Sequence, residues 1–123
     1  MLEREIVAAI LRHLKTMPHC FAWKTHGGMY GTAGIPDIIA CIDGRFYAFE
    51  VKQPGGRLTR LQEVTLGKIR AAGGAAYMVT SVEDVSAAIS AENEGGVAQK
   101  NSVGIYRLYL GATDFREAQG EFA

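Results

Sequence analysis

Asp43-Gly44 lies between two apolar runs, and no other dipeptide in the chain constrains its folding as strongly. Asp-Gly in such a setting is a two-residue hairpin signal, because the favoured turn needs positive φ at both central residues. Residues Ile35 to Ile42 enter the turn as one strand, and Arg45 to Lys52 leave it as the partner. A two-residue loop pairs Ile42 with Arg45, and counting outward from that pair sets Asp37 opposite Glu50. Opposed residues on one face have Cβ atoms roughly 4.5–5.5 Å apart, where two like charges destabilise a sheet unless a cation lies between them. Lys52 is two residues past Glu50 and points to the same side. Two acids and a lysine on one face form a divalent-metal site with a cationic neighbour.

The same alternation assigns the rest of the hairpin. Ile38, Ala40 and Ile42 with Tyr47, Phe49 and Val51 line one face. Ile39 and Cys41 with Phe46 and Ala48 share the other face with the charged cluster. Apolar residues on both sides are expected for central strands covered by helices above and below, and Cys41 is expected as a small core residue. Acids and a lysine at the ends of such strands are costly without partners, so surface decoration explains them poorly.

The remaining punctuation is regular. Residues 2–16 form an amphipathic helix in which Val7, Ile10 and Leu14 fall within about 40° of Glu3, whereas Glu5 lies about 200° away. Glu3 is therefore expected on the core-facing stripe and Glu5 in solvent. Glu3 has two readings: a charge placed favourably at the positive end of the helix dipole, or an acid reaching toward a metal over the sheet. Cys20 to Thr25 reads as a strand, and Gly27 to Gly34 as a glycine-rich loop. No helix follows that loop, so a dinucleotide motif fails there, although its backbone N–H groups suit a phosphate. Pro54-Gly55-Gly56 ends the hairpin. Thr59-Arg60-Leu61-Gln62 opens a helix with a capping box that runs to Gly73-Gly74. Ala75 to Thr80 is a strand, and Ser81 caps a last helix carrying Val82, Val85 and Ile89. Residues 91–104 are polar and irregular, and Ile105 to Leu110 is suited to an edge strand or a dimer contact. The order α-β-β-β-α-β-α predicts an α/β fold, a mixed sheet flanked by helices.

Composition adds bounds. The 123 residues, 48% hydrophobic, suit one domain with one core. No apolar run approaches a membrane span and no signal peptide is visible, so an intracellular, cytoplasmic protein without membrane contact is expected. Two cysteines exclude a disulfide framework or Cys-rich zinc site, and His13, His19 and His26 lack ligand spacing. Net charge is zero, yet Arg45, Lys52, Arg57, Arg60, Lys68 and Arg70 face only Glu50 and Glu63 between residues 45 and 70. That basic middle suits a phosphate backbone, although a solvated helix face accounts for Lys68 and Arg70 equally well.

The ordered motifs resemble the PD-(D/E)xK nuclease superfamily, which has a restriction-endonuclease-like αβββαβ core. Within it, Gly34-Ile35-Pro36-Asp37, Glu50-Val51-Lys52, Gly56-Arg57-Leu58-Thr59 and Gln62 look like the VRR-NUC family of virus-type replication and repair nucleases. The resemblance covers roughly residues 2–90, which makes residues 1–90 the expected nuclease domain and leaves 91–123 as an extension. It implies Asp37, Glu50 and the Val51 carbonyl as metal ligands, with Glu3 as the helix acid and Glu5 its competitor. It also implies Lys52 as the group that orients or activates water, and Gln62 near the site. A capping box alone explains Gln62 equally well. Lys24, His26, Arg57 and Arg60 are the expected DNA contacts, His26 also fitting an ordinary loop residue.

Oxygen ligands suit Mg²⁺ or Mn²⁺. The expected activity is metal-dependent hydrolysis of DNA phosphodiesters, with 5′-phosphate and 3′-hydroxyl products implied by the family. Stand-alone members, typically from phages, look like homodimeric Holliday-junction resolvases, which would place a phage-encoded chain in a bacterial host's cytoplasm. The alternatives are a flap- or end-directed repair nuclease, a DNA-binding module without turnover, and a bare surface ion pair with no site.

Overall fold

The computed structural model describes residues 1–26 and 33–94. The elements follow the expected order: α1 (Glu3–Lys15), β1 (Cys20–Lys24), β2 (Ile38–Ile42), β3 (Arg45–Val51), α2 (Arg60–Ala71), β4 (Ala75–Val79) and α3 (Val82–Asn93). The sheet order is β1-β2-β3-β4. β1, β2 and β3 are antiparallel neighbours, and β3 pairs with β4 in parallel through the α2 crossover. This is the expected mixed sheet with helices on both faces. No helix among the described residues is long and apolar enough to cross a membrane.

The turn behaves as its dipeptide requires. Asp43 and Gly44 have φ of 51° and 81°, both in the left-handed region of the hairpin turn. Ile42 consequently pairs with Arg45 and Ile38 with Phe49. Alternation then separates two cores. On one face Ile38, Ala40, Ile42, Tyr47, Phe49 and Val51 pack with Ile6, Val7, Ile10 and Leu14 of α1 and Val85, Ala88 and Ile89 of α3. On the other, Ile39, Ala48 and Ala76 pack under Leu66 of α2, with Leu58 and Ile69 alongside. The far end of α3 is tied to the sheet by Glu92, which bonds Tyr77 Oη and the Arg45 guanidinium.

Four expectations change. β2 begins at Ile38, not Ile35, because Pro36 has no N–H for the ladder; Asp37 lies in a bend ahead of the strand. α3 runs to Asn93, so the helix extends beyond position 90. Cys41 is exposed, as is Phe46, because α2 covers the β3–β4 half of its face and leaves the hairpin end open. Glu3 is exposed at the first position of α1, ahead of the buried stripe of Ile6, Val7, Ile10 and Leu14. Residues 27–32 of the glycine-rich loop and the Ile105–Leu110 segment lie outside the described residues.

Candidate active site

The end of the β2–β3 ladder is where the chemistry gathers. Continuing the hairpin register past Ile38–Phe49 brings Asp37 level with Glu50 and Pro36 level with Val51. A normal ladder would exchange two hydrogen bonds between the last pair. Proline cannot donate one of them. The Val51 N–H turns instead to Asp37 Oδ2 at 2.8 Å, and the Pro36 carbonyl accepts Thr25 Oγ1 at 2.7 Å. Thr25 N also donates to the Asp37 carbonyl at 2.9 Å, so β1 clamps the bend from its other side. The Val51 carbonyl lies on the same strand edge as its N–H, beside the Asp37 carboxylate, with no proline N–H to occupy it.

Glu50 is 4% exposed, a buried carboxyl against a half-buried Asp37. Its pKa is pushed up to about 8, by burial first and by the facing Asp37 carboxyl second; Lys52 opposes the rise and Glu3 adds to it. The Lys52 charge does not offset that burial and the facing carboxyl. Lys52 is only half-buried, and its backbone N–H is fixed to the Val79 carbonyl at 3.0 Å, which extends the parallel ladder past Val51.

α2 supplies the next partner. Thr59 Oγ1 accepts the Gln62 N–H at 3.1 Å, and Gln62 Oε1 accepts the Thr59 N–H at 2.9 Å. With its oxygen committed to the cap, the Gln62 amide turns Nε2 toward Glu50 Oε2, 3.3 Å away. The capping box and the contact with Glu50 therefore coexist: the box aims the amide.

α1 contributes differently from its stripe. Gln53 Nε2 donates to the Met1 carbonyl at 2.8 Å, holding the start of α1 beside the end of β3. Glu5 Oε1 accepts the Leu2 N–H at 2.6 Å and so serves the helix end. Of the two helix acids, Glu3 is the one whose charge is felt at Glu50. Among the described residues, no three His, Cys, Asp or Glu side chains gather as a metal-ligand group. The close carboxylates are Asp37 and Glu50, and Glu3 stands further out.

The expected DNA contacts are spread about the site. Arg57 and Arg60 are exposed around the start of α2, with Arg60 Nη1 3.9 Å from Glu63 Oε2. His26 is exposed beyond the end of β1. Lys24, opposite Ile38, alternates onto the α1 side of the sheet, away from the carboxylate pair. Thr25 and Gln53 emerge only here as positioning residues. Thr25 had no signal, since no short turn fixes the β1–β2 register; Gln53 had none, because its partner is 52 residues away.

The donor set fits a divalent cation: two carboxylates forced together, one of them buried, and a strand-edge carbonyl that proline leaves free of a ladder partner. These are hard oxygen donors of the kind Mg²⁺ and Mn²⁺ take.

Neither a family model nor a curated protein matches this sequence. Solved structures do resemble it. One, a "VRR_NUC domain", superposes with a TM-score of 0.61 at 19% identity, covering 72% of this chain and 94% of its own. Another, a "VRR_NUC domain protein", gives 0.62 at 18% identity over 74% of this chain and 87% of its own. At such identities the likeness concerns the backbone: this chain has the VRR-NUC fold, a restriction-endonuclease-like α/β architecture.

Proposed function

We propose that the protein is a Mg²⁺- or Mn²⁺-dependent DNA endonuclease acting on branched DNA, as a homodimer that resolves four-way junctions. The observation that carries the reading is the buried Glu50 carboxyl held against Asp37 at the point where Pro36 interrupts the ladder. Without a cation that arrangement is destabilising, and the VRR-NUC fold supplies a nuclease setting for it. A single small domain offers limited area, whereas specific DNA interfaces bury roughly 1,000–2,500 Å² of protein surface; two copies would double the area and present one site to each of two strands.

In this mechanism Asp37, Glu50 and the Val51 carbonyl would hold the cation, with Glu3 contributing negative charge from outside. When bound, the ion supplies Lewis-acid charge at the scissile phosphate and acidifies a water. Lys52 places its ammonium on the phosphate oxygens as negative charge develops there. Gln62 keeps Glu50 oriented through its Nε2, and the capped start of α2 keeps Gln62 in place. Arg57, Arg60 and His26 provide the flanking backbone contacts.

The test is cleavage of end-labelled four-way junction, flap and linear duplex with Mg²⁺ or Mn²⁺. Paired incisions in the junction are expected, absent with chelator and in Asp37→Asn and Lys52→Ala, both of which keep the fold. Cutting confined to flaps or ends would leave a nuclease and remove the resolvase. Near-native cleavage by either variant would remove the site assignment.

A further inference from the structure

The face of the sheet that carries Asp37 and Glu50 also carries an aromatic strip that no described element covers. Among the described residues β1 is an edge strand, and its alternate residues Phe21 and Trp23 are 71% and 45% exposed, while Ala22 between them is buried toward α1. Their rings lie 5.5 Å apart, tilted at 44°. The register places them in rows: Phe21 beside Cys41 and Phe46, Trp23 beside Ile39 and Ala48, and Thr25 beside Asp37 and Glu50. Trp23 is thus one row from the site, roughly 6.6 Å along the strand at about 3.3 Å per residue. α2 packs over Ala48 and Ala76 and stops short of β1, so among the described residues no helix stands between the strip and the site.

Two large aromatic faces on an edge strand are expensive to leave in water. Among the described residues, the acids on the strands of this face are Asp37 and Glu50, the proposed cation-binding pair, so the strand surface between the aromatic rows and the site carries no other negative charge. Flat rings beside a phosphodiester-cleaving site match nucleobases. In a duplex the bases are stacked on one another and offer no free face, whereas unpaired nucleotides stack on exposed aromatic side chains. We infer that Phe21 and Trp23 stack the unpaired bases flanking the cleaved bond, so the substrate carries single-stranded nucleotides at the point of incision. This rests on the nuclease reading and narrows its substrate class to flaps, opened junction arms or frayed ends.

Trp23 is the single tryptophan of the chain, so its fluorescence reports directly on the strip. The 123-residue chain, held in chelator, is titrated with an oligothymidylate and with a blunt duplex of equal length. Saturable quenching by the oligothymidylate and little by the duplex is expected. Phe21→Ala and Trp23→Ala should each weaken oligothymidylate binding on the order of 5- to 150-fold, measured by anisotropy of a labelled oligomer, with Trp23→Phe restoring most of it. Circular dichroism melts are expected to be unchanged, because both side chains are exposed.

A second arm adds Mg²⁺ and compares flap with duplex cleavage. Loss of flap preference in Trp23→Ala supports the inference. Wild-type cleavage that is metal-dependent but unaltered by Trp23→Ala overturns it and leaves the nuclease reading standing. Quenching without cleavage of any substrate removes the nuclease reading and, with it, the claim that the strip serves an incision site. A change from dimer to monomer in Phe21→Ala, with oligothymidylate binding per chain unaltered, would make the strip an interface between copies and also overturn it.

Discussion

Replacing Glu50 by glutamine isolates the energetic cost of the site. Glu50 is 4% exposed, and its pKa stands at about 8 against an ordinary 4.5. Below pH 4.5 the carboxyl is protonated whether the chain is folded or not, and it adds no pH-dependent penalty. Between 4.5 and about 8 the unfolded chain releases the proton and the folded chain keeps it, so stability falls as pH rises. Taking 1.36 kcal/mol per pKa unit, the loss is about 3 kcal/mol at pH 7 and levels off near 5 kcal/mol above pH 8. Glutamine keeps the volume and an oxygen for Gln62 Nε2, but cannot ionise. Metal-free Glu50→Gln should therefore melt on the order of 10 °C higher than the parent at pH 7 for a domain of this size, with the gap closing toward pH 4.5. The assay is a series of thermal melts in chelator from pH 4.5 to 8.5. Millimolar Mg²⁺ should then raise the parent's melting temperature at pH 8 and leave the variant's unchanged. Parallel pH profiles for the two proteins would refute the claim that a buried, unneutralised carboxyl sits at position 50.

Other outcomes follow from the same geometry. Gln62→Glu keeps an acceptor for the Thr59 N–H but sets a third carboxylate against Glu50; cleavage should fall at least about tenfold while the helix cap survives, and the metal-free melt should suffer more at pH 8 than at pH 5. If Gln62 served the cap alone, that variant would behave as wild type in both measurements. Gly34→Ala should destabilise by about 2–5 kcal/mol in urea unfolding, because φ is +81° and the new Cβ would lie 2.7 Å from Leu61 Cγ and 2.8 Å from Thr65 Oγ1. An unchanged midpoint would mean that the approach to Asp37 is not held against α2. Asp37→Asn retains an acceptor for the Val51 N–H and should unfold like the parent, while losing metal-dependent cleavage.

Much of the site was legible because its parts are local. A two-residue turn and a period of two are enough to set Asp37 against Glu50 and to sort Ile38 from Ile39 onto opposite faces, since register and alternation need only the hairpin itself. Thr59-x-x-Gln62 likewise announced both its cap and its helix, because capping acts within one turn. What lay beyond this needed elements far apart in the chain. Helical periodicity put Glu3 in line with the core stripe, yet only the docking of Met1 on Gln53 decides how near Glu50 that acid stands. The Gln62 amide meets Glu50 because the α2 crossover lays the capped end of the helix over the strand, a contact no local pattern contains. Cys41 was expected in the core, since alternation tells which side of a sheet a residue faces but not whether anything covers that side. The position of α2 over β3 and β4 answers it, leaving Phe21, Trp23, Cys41 and Phe46 exposed. Local stereochemistry determined direction, and the long-range packing of helices on the sheet determined what each direction meets.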